Sequence, residues 1–166
     1  MVTWKLRPWS LDDLESLVKY ANNYNVSKYM TNRFAHPYTH ETGIDFIKMA
    51  MQDKPVRIFA IEVNGEAAGG IGIHPQGDIY GKNAEIGYWL AEPYWGKGIV
   101  TGALKEIVEY AFDTFDVIRL FARPFSNNAG SQKVLEKAGF ELEARLKKTI
   151  FKNGEFLDEL IYSVVR

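Results

Sequence analysis

Residues 84–91 read as a strand, Tyr94-Trp95-Gly96-Lys97-Gly98 as a glycine-bearing loop, and the residues beyond as a long helix. Val100, Leu104, Ile107, Val108 and Ala111 form the helix's apolar stripe. A further strand reads at 117–124. Strand, helix and strand in that order make a crossover, and a crossover of this length joins parallel neighbours in one sheet. The two glycines let the loop turn tightly and let a ligand approach the backbone closely. The amides of Lys97, Gly98, Ile99 and Val100 point outward from the helix start, where the helix dipole adds partial positive charge. Lys97 can add a full charge. The ligand such a start suits is a pyrophosphate.

Around this crossover the chain alternates helical and hairpin patterns. Residues 3–8 read as a first strand. Ser10 then caps a helix, Asp13 completes a capping box, and Leu11, Leu14, Leu17, Val18 and Ala21 follow at helical spacing. Residues 22–38 mix polar and aromatic side chains, the texture of a loop and short helix over a pocket. Thr39 caps a second helix to about Gln52, with Ile44, Ile47 and Met51 on one face. Strands at 56–63 and 66–74 meet at Asn64-Gly65, and strands at 141–152 and 155–165 meet at Asn153-Gly154. Asn-Gly supplies the positive φ angles of a tight hairpin turn. Between them, Ser126-Asn127-Asn128 opens a helix that ends at Gly139. This order predicts a mixed α+β sheet in a single domain over residues 1–166.

Composition narrows the function. Net charge is -1, so no basic excess points to nucleic acid or to a membrane surface. No segment is apolar for the ~18 residues a membrane span needs, and the first residues lack the apolar stretch of a signal peptide. The chain has no cysteine, which excludes disulfides, thiolate metal sites and a cysteine nucleophile and suits the cytoplasm.

Glycines between a strand and a helix also serve the turn alone, and a lone Gly-x-Gly is weak evidence for phosphate. Two familiar phosphate motifs are absent. Lys97 precedes Gly98 where a P-loop needs lysine to follow glycine, and Thr101 stands where a dinucleotide fold has its third glycine. A second signal supports the loop. Asn128 and Ser131 open a helix just after the next strand. They can cap backbone groups there, or present an amide and a hydroxyl near the same sheet edge as the glycine loop.

Taken together, Trp95-Gly96-Lys97-Gly98-Ile99-Val100, Asn128-x-x-Ser131 and Glu136-Lys137-Ala138-Gly139-Phe140 resemble the GNAT superfamily of N-acetyltransferases. The resemblance is to its RimJ/RimL type, which acetylates protein N-termini and has relatives acting on other amines. Glu85-Ile86-Gly87-Tyr88-Trp89-Leu90 is similar to the strand before the loop in that branch, and the element order matches along nearly the whole chain. The resemblance implies an α+β fold with a mixed sheet of about seven strands and about four flanking helices. It implies a splayed parallel pair, 84–91 and 117–124, with the pantetheine arm in the gap near Trp89 and Leu90. It places the pyrophosphate of acetyl-CoA on the loop from Trp95 and Gly96 through Lys97, Gly98, Ile99 and Val100 to Thr101, and turns Asn128 and Ser131 toward the thioester end.

The chemistry adds roles. A lysine-type amine has a pKa of ~10.4 and an α-amine about 7.7–8.0, and either must be neutral to attack. Glu85, at the start of its strand, is the candidate base, against the alternative of an exposed strand-end glutamate. An amide near Leu90 is the candidate oxyanion donor, and Ser131 the candidate donor to the leaving thiolate. With no cysteine, direct transfer in a ternary complex is expected. Three positions depart from or vary within the family pattern: Trp95 for Arg or Gln, Val100 for Gly or Ala, and Leu135 where many relatives carry a tyrosine acid. The alternatives are a non-catalytic acyl-CoA-binding sensor or interaction module and a phosphate-binding protein for free nucleotides.

Other residues carry weaker signals. His36 and His40 have helical metal spacing, but Pro37 interrupts them, and no metal site is expected. His74 either helps to deprotonate an amine or is a solvent-exposed histidine. Tyr24, Tyr29, Phe34 and Tyr38 form either an aromatic wall for the acceptor or packing beneath a lid. Asp158 either binds an amine or pairs with an arginine. The acceptor is expected to be a protein N-terminus or a small-molecule amine, and the protein a monomer or homodimer.

Overall fold

The computed structural model describes all residues from Met1 to Arg166. Seven strands form one sheet in the order β1-β2-β3-β4-β5-β7-β6. They are β1 (Trp4–Pro8), β2 (Ile58–Val63), β3 (Glu66–Pro75), β4 (Asn83–Leu90), β5 (Arg119–Ala122), β6 (Glu141–Lys152) and β7 (Glu155–Val165). The α-helices are α1 (Leu14–Ala21), α2 (Tyr24–Ser27), α3 (His40–Ala50), α4 (Ile99–Thr114) and α5 (Ala129–Lys137). The mixed α+β class read from the sequence is the observed one. The chain divides into two compact units, Met1–Gly72 with Tyr88–Ile99, and Ile73–Gly87 with Val100–Arg166.

In the first unit β1 and β2 pair antiparallel, as do β2 and β3 through Asn64-Gly65, whose φ angles are 49° and 87°. The capping box at Ser10 forms as expected. Its Asp13 is also gripped by Arg7 through two hydrogen bonds of 2.7 and 2.8 Å, while Arg7 Nε donates to Glu62 at 2.7 Å. Burial disfavours the Asp13 charge, but the Arg7 hydrogen bonds, the Ser10 amide and the Arg7 charge outweigh it and hold the carboxyl below its ordinary range. Trp9, Leu17, Ala21, Val26, Tyr38, Ile47, Ala50 and Trp89 share one core cluster. The buried stripe of α3 is Gly43, Ile47 and Ala50, and Met51 is exposed. Gly43 corrects the expected face: a Cβ there would sit 2.9 Å from the Leu14 Cδ1 methyl and 3.3 Å from a Val18 methyl, so α3 packs on α1 through this glycine.

In the second unit β4 and β5 run parallel over three pairs, from Asn83↔Arg119 to Glu85↔Phe121. Strand β5 is shorter than the eight residues expected. Ile118 instead donates to the Lys82 carbonyl, and Pro124 has no N–H for a ladder. Strands β6 and β7 form a long antiparallel hairpin turned by Asn153 and Gly154, with φ of 52° and 79°. Helix α4 buries Ala103, Leu104, Ile107, Val108 and Ala111, and Val100 stays half-buried off that stripe. Helix α5 ends at Gly139, whose φ of 95° is the left-handed cap the sequence predicted.

Candidate functional site

The loop after β4 is built by local rules. Pro93 sits in a short 3-10 turn, Glu92–Tyr94, that ends the strand. Gly96 and Gly98 take φ of 73° and 79°, and a Cβ built on either meets nothing within 4 Å. Glycine therefore serves backbone angle here, and the space beside both residues is open. Trp95, Gly96, Lys97 and Gly98 are exposed, and Ile99 is buried at 2%. Ile99 anchors the start of α4 while the loop ahead of it faces solvent. Trp95 Nε1 donates to the Leu90 carbonyl at 2.7 Å, which ties the loop to the end of β4. This open, left-handed glycine backbone leads into a 16-residue helix, an arrangement that suits a diphosphate such as that of coenzyme A.

Burial alternates along strand β4 only in part. Ala84 and Ile86 are buried and Glu85 and Gly87 half-buried, but Trp89 and Leu90 are both buried. The reason lies on β3. A Cβ on Gly69 would sit 2.5 Å from the Trp89 carbonyl oxygen and 3.1 Å from a Leu90 methyl. One on Gly70 would sit 2.9 Å from Trp89 Nε1. The Gly69-Gly70 pair lets β3 press against the end of β4, and paired glycines inside a strand were the signal available for it. The Phe34 ring lies 5.6 Å from that of Trp89 and 5.4 Å from that of Tyr38. Burial pushes the Tyr38 hydroxyl up to about 12, so it stays protonated at neutral pH. Of the four aromatic residues singled out, Phe34 and Tyr38 thus join Trp89, whereas Tyr24 pairs with the His36 ring at 5.9 Å.

Glu92 was not foreseen. Its carboxylate accepts from Asn23 Nδ2 at 3.0 Å and from Asn25 Nδ2 at 3.0 and 3.3 Å. Those two amides, Asn23 first, hold Glu92 below the usual carboxylate range.

In the second unit, the half-buried Glu85 accepts from Arg123 Nε at 3.2 Å, and Arg123 also lies 4.0 Å from Glu159. Arg123 was absent from the sequence reading, since nothing local links it to Glu85. Asn128 fills its capping role, its Oδ1 accepting the Ser131 amide at 3.2 Å. Leu135 is fully buried and is a core position. Asp158 pairs with Arg145 Nε at 2.6 Å and accepts the Lys148 amide at 2.8 Å, the second of its two expected roles. His40 bonds Glu15 at 3.0 Å.

The sequence from residue 4 to 141 matches the acetyltransferase (GNAT) domain family. The chain belongs to that family. GNAT proteins of this kind are acetyl-CoA-dependent N-acetyltransferases. YdaF of Bacillus subtilis (strain 168) is 33% identical over 103 residues, 62% of this chain but only 56% of YdaF. The spermidine N(1)-acetyltransferase of Escherichia coli (strain K12) is 28% identical over 153 residues, 92% of this chain and 80% of that protein. Among solved structures, the microcin C7 self-immunity acetyltransferase MccE, in complex with acetyl-CoA and AMP, superposes with a TM-score of 0.83. It is 29% identical, with 98% of this chain and 92% of MccE covered. No helix of this GNAT chain is long and apolar enough to cross a membrane.

Proposed function

We propose that residues 1–166 form one N-acetyltransferase domain that moves the acetyl group of acetyl-CoA to a primary amine, a protein N-terminus or a small-molecule amine, in a ternary complex. The observation that carries this reading is the loop at Gly96 and Gly98, left-handed and open at both glycines, within a chain of the acetyltransferase family. Acetyl-CoA supplies the activated acetyl group as a thioester. The residues proposed to hold it are Trp89, Leu90, Trp95, Gly96, Lys97, Gly98, Ile99, Val100, Thr101, Asn128 and Ser131. The Lys97 ammonium offsets phosphate charge, and Trp95 acts through its bond to Leu90, which sets the angle of the loop. No metal enters the reading.

Glu85 takes the proton from the incoming amine. Arg123 holds one carboxylate oxygen and so orients the group. An α-amine, with a pKa of about 7.7–8.0, needs far less of this help than a lysine-type amine at ~10.4. Ser131 offers a hydroxyl toward the leaving sulfur, and the Phe34, Tyr38 and Trp89 rings wall the acceptor side. A cytoplasmic monomer or homodimer fits this account. Thiol release over a panel of amines, including spermidine and peptides with free N-termini, tests it. Turnover on one class supports the enzyme; tight acetyl-CoA binding with no turnover on any amine points to the sensor.

A further inference from the structure

We infer that Glu92 is a positioning residue for the acceptor side of the reaction: its carboxylate, by holding Asn23 and Asn25, fixes the segment 22–38 on the stem of the glycine loop. This rests on the cofactor reading of that loop. The segment is poor in structure of its own. Its only helix, α2, has four residues, and one turn of helix does not persist unaided. External ties must therefore hold it. Its two ends are closed on each other, where Asn22 Oδ1 accepts the Tyr38 amide at 3.0 Å.

Its external tie is Glu92. Asn23 works at both ends of its side chain: Oδ1 caps α2 by accepting the Asn25 amide at 2.9 Å, and Nδ2 donates to Glu92 Oε1 at 3.0 Å. Asn25 then reaches both carboxylate oxygens. Glu92 in turn belongs to the turn that carries the loop. Its carbonyl accepts the Trp95 amide at 3.1 Å, and the Trp95 indole is bonded to Leu90. Tyr94, in the same turn, lies with its ring 6.1 Å from that of Tyr20 on α1. Phe34 and Tyr38 lie in the segment so tied; Tyr38 packs on Phe34, and Phe34 on Trp89 of β4, one residue from Leu90. A free carboxylate accepts from both asparagines at once. A glutamine carries no charge and accepts at one oxygen only, so both hydrogen bonds weaken and the Asn25 amide must turn over to meet the new N–H.

The test uses hydrogen exchange and steady-state kinetics on the full chain, with CoA, spermidine and a serine-N-terminal peptide as probes. Glu92→Gln should speed exchange across 23–38 by about ten-fold, the loss expected for hydrogen bonds to a charged group. In the kinetics it should raise the KM of whichever amine turns over by a similar factor and leave the KM of acetyl-CoA within two-fold. The double variant Glu92→Gln with Asn25→Asp restores a donor facing an acceptor and should recover both values. Unchanged exchange across 23–38 in Glu92→Gln overturns the inference, as does a KM effect confined to acetyl-CoA. Failure of CoA to slow exchange at 96–101 in the unmodified chain instead overturns the cofactor reading, so the two failures are told apart.

Discussion

Gly69→Ala is the sharpest test of how β4 is held. Judged by propensity alone, alanine in a strand interior should help, by roughly 0.5–1 kcal/mol. The structure predicts the opposite sign. The new Cβ would stand 2.5 Å from the Trp89 carbonyl oxygen, and real Cβ contacts essentially never fall under 3.0 Å, so backbone must move by at least about 0.5 Å. The obstacle is main chain, and no rotamer relieves it. Overpacking of this kind costs about 1–3 kcal/mol. For a chain of this length that lowers the melting temperature by about 2–12 °C. The displaced atoms belong to Trp89 and Leu90, so acetyl-CoA affinity should fall as well, by roughly ten-fold for a shift of this size. Thermal melts and calorimetric titration with acetyl-CoA measure both. Gly77→Ala is the control, because its Cβ meets nothing within 4 Å and its φ is -109°; it should change stability by less than about 0.5 kcal/mol. A Gly69→Ala protein that melts at or above the wild-type temperature refutes the close approach of β3 to β4.

Three further outcomes are expected. Gly98→Asp adds negative charge and a side chain at a φ of 79°, and calorimetry should find acetyl-CoA binding lost, while Gly98→Ala, with open space around it, weakens binding far less. Glu85→Gln should lower kcat most at neutral pH and leave acetyl-CoA affinity within about two-fold, read from a pH–rate profile; full activity across pH removes Glu85 as the base. The lowered pKa of Asp13 implies stability that is present at neutral pH and lost as pH falls through the depressed folded value. Urea melts of Asp13→Asn should therefore show lower stability at pH 7 and a flatter decline toward acid than the wild type.

Much of this fold was legible because its signals are local. Asn64-Gly65 and Asn153-Gly154 carry their own turn geometry, and Gly96, Gly98 and Gly139 sit at the positive φ angles their positions demanded. Ser10 and Asp13 announce a helix start within four residues of chain. What could not be read is what depends on partners far apart in sequence. Glu92 meets Asn23 across 69 residues, and Arg7 meets Glu62 across 55. Either glutamate read alone is an ordinary surface residue. Burial stops alternating along β4 at Trp89 and Leu90 because both of those residues are covered, an effect written in the glycines of β3 and in Phe34 rather than in β4 itself. Asp158 had two open roles for the same reason, and Arg145 on the neighbouring strand settled its partner.

Backbone amide resonances of residues 96–101, followed by NMR while CoA is added to the full chain, probe the diphosphate cradle most directly. Saturable shifts concentrated in the amides of Lys97, Gly98, Ile99 and Val100, with far smaller ones on adding equal ATP, are the predicted result. Amides at 96–101 that stay fixed while CoA binds elsewhere, or does not bind at all, contradict it.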